Sequence, residues 1–112
     1  MTFINYAEFE KVDIRLGTIL EAIEYDLLKK PSILLKIDFG EEIGIKKSSA
    51  QLRDNYKPHQ LINKQILAVV NFQPKQIGKI ISEVLVLGLP NNHDQPILVF
   101  PEMKLQNGVK LY

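Results

Sequence analysis

The residues of this chain best suited to chemistry are polar side chains that stand beside apolar runs. Asn71 follows the run Ile66–Val70, and Ser82 with Glu83 precedes the run Val84–Leu87. If such side chains are buried, each needs a hydrogen-bond partner, because an unpaired one costs roughly 1–3 kcal/mol. Two interpretations stay open: a hydrogen-bonded network that fixes strand register, or a polar cluster at one end of a binding groove.

Signals for catalysis or metal binding are weak. His59 and His93 are the only histidines, and neither has the spacing of a metal-ligand pair. Ser48-Ser49 has no histidine or lysine in an activating relation, so a turn or backbone-capping role is favoured. Gly40 and Gly44 are not followed by the Gly-Lys-Ser/Thr of a phosphate loop. We therefore expect no enzymatic activity, no metal and no cofactor.

Aromatic and basic side chains offer binding chemistry instead. Phe39, Tyr56 and Phe72 could stack on bases or line an apolar cleft for a peptide, although aromatic residues at strand ends more often belong to a core. The net charge of +1, from 14 basic and 13 acidic residues, argues against a strong, salt-driven nucleic-acid binder. A local basic patch remains open, with these candidates: Lys29, Lys30, Lys46, Lys47, Lys57, Lys75 and Lys79.

The elements that position these residues fit one domain. The chain has 112 residues, of which 46% are hydrophobic, as expected of a globular protein. No apolar run approaches the roughly 20 residues needed to span a bilayer, and the first residues lack the features of a signal peptide. We therefore expect a cytoplasmic protein without membrane insertion. The absence of cysteine excludes disulfides and thiolate chemistry.

The apolar pattern predicts about five principal strands with short helices. Asn5–Phe9 is predicted to be a helix that Asn5 caps, with Glu8 completing a capping box. A phase shift at Gly17 predicts a β-bulge or a sharp bend there. The predicted strands are Val12–Tyr25, Ile33–Phe39, Ile43–Lys46, Ile66–Val70 and Lys79–Leu87, with a shorter one at Ile97–Phe100.

The connections are less regular. The pattern fails from Ser48 to Lys64, where we predict a short helix near Leu52–Tyr56 that ends at Pro58. Asn107-Gly108 is a tight-turn signal that could pair two short C-terminal strands.

Regularly spaced strands with turn signals favour a small barrel or sandwich. The predicted fold class is all-β with residues 1–112 as a single domain, and one candidate among several is a five-stranded oligonucleotide/oligosaccharide-binding (OB) barrel with short helices and N- and C-terminal extensions. The run Val84–Leu87 is apolar on both faces, so its own fold or a partner subunit must cover it. With the apolar segment Phe3–Phe9 and the C-terminal Val109, Leu111 and Tyr112, this run predicts a homodimer.

Several blocks resemble a known family. Val12–Ile19 resembles the opening strand of the tRNA-binding domain found in Trbp-type proteins and in some aminoacyl-tRNA synthetases. Lys36–Gly40, Leu61–Gln65 and Val69–Lys75 match the family's later strands and turn. Within that family the resemblance is strongest to CsaA-type export chaperones, through the blocks Ile37–Gly40, Glu42–Lys46, Ser48–Gln51, Tyr56–Pro58 and Ser82–Gly88.

The resemblance implies a homodimeric OB barrel in the cytoplasm that binds unfolded precursor proteins or peptides for export, without catalysis. Secretion translocase components would be further partners, and the alternative is a tRNA- or nucleic-acid-binding module. Arg15 and Arg53 are the only arginines, so tRNA binding should be weak and electrostatic. The family's polar cluster would fall on Ser49, Asn71, Ser82 and Glu83. The residues expected to bind peptide or nucleic acid are Lys36, Phe39, Lys46, Lys47, Ser49, Asn71, Phe72, Lys75, Ser82 and Glu83.

Overall fold

The computed structural model describes residues 1–112 and contains an antiparallel five-stranded sheet that curls into a barrel. Its strands are β1 (Ile14–Tyr25), β2 (Ser32–Asp38), β3 (Ile45–Ala50), β4 (Gln65–Val69) and β7 (Leu85–Val86), in the spatial order β3-β2-β1-β4-β7. Two hairpins join β5 (Lys75–Ile77) to β6 (Ile80–Ser82) and β8 (Gly88–Pro90) to β9 (Pro96–Leu98). The predicted all-β OB barrel is confirmed.

Three short helices complete the fold: α1 (Tyr6–Glu10), α2 (Gly40–Ile43) and α3 (Pro58–Leu61). The predicted capping box of α1 is confirmed, because the Glu8 amide donates to Asn5 Oδ1 at 2.8 Å and the Asn5 amide donates to Glu8 Oε1 at 3.1 Å. None of these helices has the length and apolar character needed to cross a membrane.

Strand β2 supplies the centre of the core through its alternating pattern. Ile33, Leu35 and Ile37 are buried, and Phe39 extends the same face. Gly17 of β1 lies directly beneath them, because a Cβ at that position would stand 2.6 Å from both Ile37 Cγ2 and Phe39 Cδ1. The close approach of β1 to this part of the core therefore requires glycine.

The bulge of β1 lies three residues after the predicted position at Gly17. Ile19 pairs with Ile37 and Glu21 with Lys36, so Leu20 is the extra residue of a bulge between them. Gly17 is needed for packing and not for the phase shift. The bulge lets the first half of β1 pair with β4 while the second half pairs with β2.

The C-terminal segment adds to β1 and does not pair with itself, so the predicted C-terminal hairpin is wrong. The amide of Leu16 donates to Val109 O at 3.0 Å, and the amide of Leu111 donates to Ile14 O at 2.9 Å. Strand β1 offers free backbone groups at its start, where β2 has not yet begun to pair with it. The segment therefore extends the sheet along the free edge of β1, beside Ile14–Leu16.

Arg15 fastens this segment to the barrel. Its Nε donates to Asp13 Oδ1 at 2.6 Å, while Nη1 donates to Gly108 O at 3.0 Å and to Glu42 Oε2 at 3.4 Å. The hydrogen bond to Asp13 raises the pKa of Arg15 above its ordinary value, although partial burial opposes the shift. One guanidinium thus joins the start of β1, helix α2 and the C-terminal turn.

The irregular crossing between β3 and β4 also differs from the prediction. Residues 48–50 continue β3. The sequence predicts a short helix near Leu52–Tyr56 that ends at Pro58, but the helix in the structure begins at Pro58. Proline suits the first position of a helix, where its missing amide hydrogen is not needed. The hydroxyl of Tyr56 accepts a hydrogen bond from the Leu98 amide at 3.1 Å, which ties the crossing to β9.

The prediction of one continuous strand over Lys79–Leu87 is wrong. The segment is interrupted at Glu83 and Val84, where it contacts β3 and closes the barrel. The Glu83 amide donates to Lys47 O at 2.8 Å, and the Lys47 amide donates to Glu83 Oε1 at 3.0 Å. The Ser49 amide donates to Ser82 Oγ at 3.1 Å. We call this contact of Ser82 and Glu83 with β3 the seam. In the seam, side-chain oxygens accept hydrogen bonds from backbone amides, as carbonyl oxygens do in an ordinary pair of strands.

Replacing Gly17 by alanine should destabilise the protein by about 2–3 kcal/mol, because the new methyl group overlaps Ile37 and Phe39 in a filled core. The matched control is Gly88→Ala, also in a strand, where the nearest atom, Pro96 Cβ, is 3.1 Å from the new Cβ. Urea denaturation of both variants measures the difference. Equal midpoints would contradict the packing role of Gly17.

Glu83→Leu should lower the free energy of unfolding by about 1–2 kcal/mol, because the Lys47 amide loses its acceptor. Glu83→Gln keeps an oxygen at the same position and should cost less. Glu41→Leu, at an exposed carboxylate of α2, controls for loss of charge alone. Amide hydrogen exchange at Lys47 measures the local effect. Unchanged protection of this amide in Glu83→Leu would contradict its hydrogen bond to the Glu83 carboxylate.

Candidate binding grooves beside the barrel seam

The first groove lies between the outer face of the sheet and the β5–β6 hairpin. It has a volume of about 350 Å³, and aliphatic side chains from three strands line it: Ile23, Leu34, Ile80 and Ile81. Ile23 and Leu34 are direct neighbours across β1 and β2 and point away from the core. Ile23 and Ile81 are more than half exposed. We call this site the aliphatic groove.

The β5–β6 hairpin forms one wall of the aliphatic groove, and the geometry of its turn holds it in place. Gly78 makes the turn of the β5–β6 hairpin with φ 60°, a left-handed conformation that glycine adopts readily. A Cβ on Gly78 would lie 3.2 Å from Leu28 Cδ2 in the β1–β2 connection. The hairpin tip therefore rests near this connection, while the seam holds the hairpin's other end against β3.

Three lysines and one glutamate surround the aliphatic floor. Lys36, Lys47, Lys79 and Glu21 all line the groove. Lys36 Nζ lies 3.1 Å from Glu21 Oε2, across the β1–β2 pair. Lys47 stands directly opposite Lys36 on β3. The groove thus combines an apolar floor with a net positive rim.

A second groove of about 340 Å³ lies on the other side of β6. Its lining includes the phenyl ring of Phe72, which is 57% exposed, and the side chains of Lys75, Ile77 and Leu85. Ser49, Ser82 and Glu83 form its polar edge. We call this site the aromatic groove. Its polar edge coincides with the seam, so the seam holds the walls of both grooves.

The structure brings together seven of the ten predicted binding residues in these two grooves. The aliphatic groove contains Lys36 and Lys47, and the aromatic groove contains Ser49, Phe72, Lys75, Ser82 and Glu83. Lys46 lies beside them, with its Nζ 4.0 Å from Glu83 Oε2.

Two predicted residues lie elsewhere. Phe39 is fully buried in the core beneath β2, so its expected role as an accessible binding surface is wrong. Asn71 is not part of the polar cluster with Ser82 and Glu83. Its Oδ1 accepts from the Asp13 amide at 3.0 Å, and its Nδ2 donates to Lys11 O at 2.7 Å. Asn71 therefore fixes the connection between α1 and β1.

Sequence reasoning missed the aliphatic floor. Leu34 lies between the core residues Ile33 and Leu35, and this break in alternation was a signal of an apolar outer face. Ile80 and Ile81 are consecutive, so one of them had to face outwards from any strand. Their convergence with Ile23 depends on the fold of the hairpin, which pattern alone does not reveal.

A third apolar depression, of about 540 Å³, lies under the C-terminal segment. Leu16, Leu67, Phe100, Leu105, Val109 and Leu111 are among its lining residues. At the other end of the chain, Phe3, Ile4 and Tyr6 are largely exposed and cover no core of their own. We call the depression the C-terminal groove and residues 1–10 the N-terminal arm.

Solved structures show the same fold at substantial identity. Chaperone CsaA from Bacillus anthracis strain Ames superposes with a TM-score of 0.91 and 46% identity, covering 99% of this chain and 100% of that one. The CsaA chaperone protein from Picrophilus torridus gives a TM-score of 0.90 and 48% identity, covering 98% and 100%.

Sequence comparison connects the chain to a domain of larger enzymes. Methionine–tRNA ligase from Methanococcoides burtonii is 34% identical over 111 residues, which make up 97% of this chain and 16% of that enzyme. The chain spans about 15% of the length of the curated relatives it matches. Residues 14–110 match the family model of the tRNA binding domain. The chain therefore belongs to the tRNA-binding domain family, and its fold is that of the CsaA chaperones.

Proposed function

We propose that the protein is a CsaA-like molecular chaperone that captures unfolded precursor proteins for export. The observation that carries the proposal is the aliphatic groove, an exposed apolar floor that the β5–β6 hairpin flanks. The 46–48% identity to CsaA chaperones over nearly the whole chain supports it. The proposal includes a cytoplasmic location and delivery of clients to secretion translocase components.

Capture would be an equilibrium association in which no covalent bond is made or broken. Burying one aliphatic side chain of a client between Ile23 and Ile81 contributes about 1.5–3 kcal/mol before the cost of ordering the peptide. Such binding is weak for one groove and rapidly reversible. Weak capture suits a protein that must release its client unfolded.

A homodimer would present two such grooves to one client. The N-terminal arm and the C-terminal groove are exposed apolar surfaces of the same chain, so the arm of a second copy is the occupant that we propose for the C-terminal groove. Two linked grooves raise the apparent affinity through effective concentration, without any new contact. A dimer therefore offsets the weakness of each groove.

The second candidate function is binding of tRNA or another nucleic acid, and the aromatic groove favours it. The exposed ring of Phe72 can stack on a base while Lys75 neutralises a phosphate. Membership of the tRNA-binding domain family supports this candidate equally. The two functions use different grooves on either side of β6.

Salt dependence should separate the two functions. Binding of a labelled unfolded precursor should lose much less affinity between about 50 and 200 mM salt than tRNA binding, which weakens steeply because the entropy gained by releasing counterions falls as salt rises. Ile81→Asp should weaken precursor binding about tenfold or more, since it places a charge on the aliphatic floor. The control Leu89→Asp changes an equally exposed leucine outside both grooves. Salt-insensitive nanomolar tRNA binding, with no precursor binding, would reverse the order of the two candidates.

Light scattering at micromolar concentration should give the mass of two chains. Phe3→Glu should shift the equilibrium towards the monomer, because a carboxylate in an apolar interface loses its hydration. Thr2→Glu adds the same charge next to this position without removing an apolar side chain and serves as the control. A monomer mass for the unmodified protein would refute the dimer.

A further inference from the structure

We infer that the aliphatic groove selects client segments in which an acidic side chain neighbours an aliphatic one. This inference rests on the proposed chaperone function and specifies its substrate class. Its starting point is the groove's lining, which contains aliphatic side chains and no aromatic ring. A nucleic-acid base would find no stacking surface there, so an aliphatic side chain of a peptide fits the floor better than a base does.

Two lysines of the cationic rim stand side by side, which is unfavourable when no ligand is bound. Lys36 and Lys47 are direct neighbours on adjacent strands, and like charges at such positions repel each other. Glu21 pairs with Lys36, but no carboxylate lies within 4.0 Å of the ammonium group of Lys47. A carboxylate from a bound peptide would relieve this repulsion.

A second unpaired lysine stands on the opposite wall. Lys79 lies in the turn of the β5–β6 hairpin, lines the same groove, and also has no carboxylate within 4.0 Å. A peptide carboxylate in the groove would therefore have a lysine on each wall. The aromatic groove differs, because its lining contains one lysine, Lys75, and one carboxylate, that of Glu83, and therefore has no net charge.

The backbone fixes where the charge of Lys47 is presented. Both its amide and its carbonyl oxygen are bonded to Glu83 in the seam. The lysine stem thus projects from a rigid point, and less freedom is lost when its ammonium group meets a carboxylate. Exposed ion pairs are individually weak, so two lysines should give a preference of about five- to thirtyfold at low salt.

The test compares three labelled peptides of one length and one aliphatic content, measured by fluorescence anisotropy. Their variable positions, next to the leucines, carry aspartate, serine or lysine. We expect the aspartate peptide to bind tightest, the lysine peptide weakest, and the difference to shrink as salt rises. The double variant Lys47→Glu with Lys79→Glu should invert the order.

Two further variants make the result specific to the groove. Lys57→Glu with Lys104→Glu applies the same charge change to exposed lysines outside the aliphatic groove and should keep the original order. Lys79→Gln, in an exposed turn, tests the rim should the double variant fail to fold, and it should reduce the aspartate preference severalfold.

The outcomes distinguish the two levels of the proposal. If none of the peptides binds, the proposed chaperone function fails. If all three bind equally, or if the order survives the groove variants, peptide capture stands and the acidic preference is overturned. A single-stranded oligonucleotide that displaces the aspartate peptide from the unmodified protein, and whose own binding is lost in Ile81→Asp, would place nucleic acid in this groove and also overturn the inference.

Discussion

The barrel closes because side chains at one short segment replace part of a strand ladder. Backbone pairing runs from β3 through β2, β1 and β4 to β7, and the remaining gap is bridged where Ser82 and Glu83 meet β3. Ser48 adds a buried bond from its hydroxyl to Val84 O at 3.1 Å. A continuous strand could have closed the gap through backbone groups alone. The break frees the hairpin before it to lean over the outside of the sheet.

The position of the hairpin explains why apolar side chains line an outward-facing surface. Leu34 would be an ordinary exposed leucine on a bare sheet, but β6 turns its surroundings into a groove. The same hairpin separates an aliphatic surface from an aromatic one. A family described by its tRNA binding and solved structures described as chaperones share this barrel, so the fold by itself does not decide the ligand class.

The parts of the fold that depend on local pattern could be predicted from the sequence. The alternation in β2 and the capping box at Asn5 depend on neighbours in the chain, and both are confirmed. The prediction of a bulge at Gly17 and the predicted pairing of two C-terminal strands failed, because each depends on a distant strand, whereas the turn at Asn107-Gly108 is present. Polar residues were the most ambiguous. Ser82 and Asn71 looked alike in the sequence, yet one closes the barrel and the other fixes the start of β1.

The hydrogen bonds between β1 and the C-terminal segment also determine how this domain can be attached to others. The amide of Leu111 bonds to Ile14 O, so residues 97 positions apart lie side by side in neighbouring extended segments. The start of β1 and the C-terminal segment therefore meet at one edge of the barrel. Tension applied between Ile14 and Leu111 would load the hydrogen bonds of the C-terminal segment and the Arg15 contacts first.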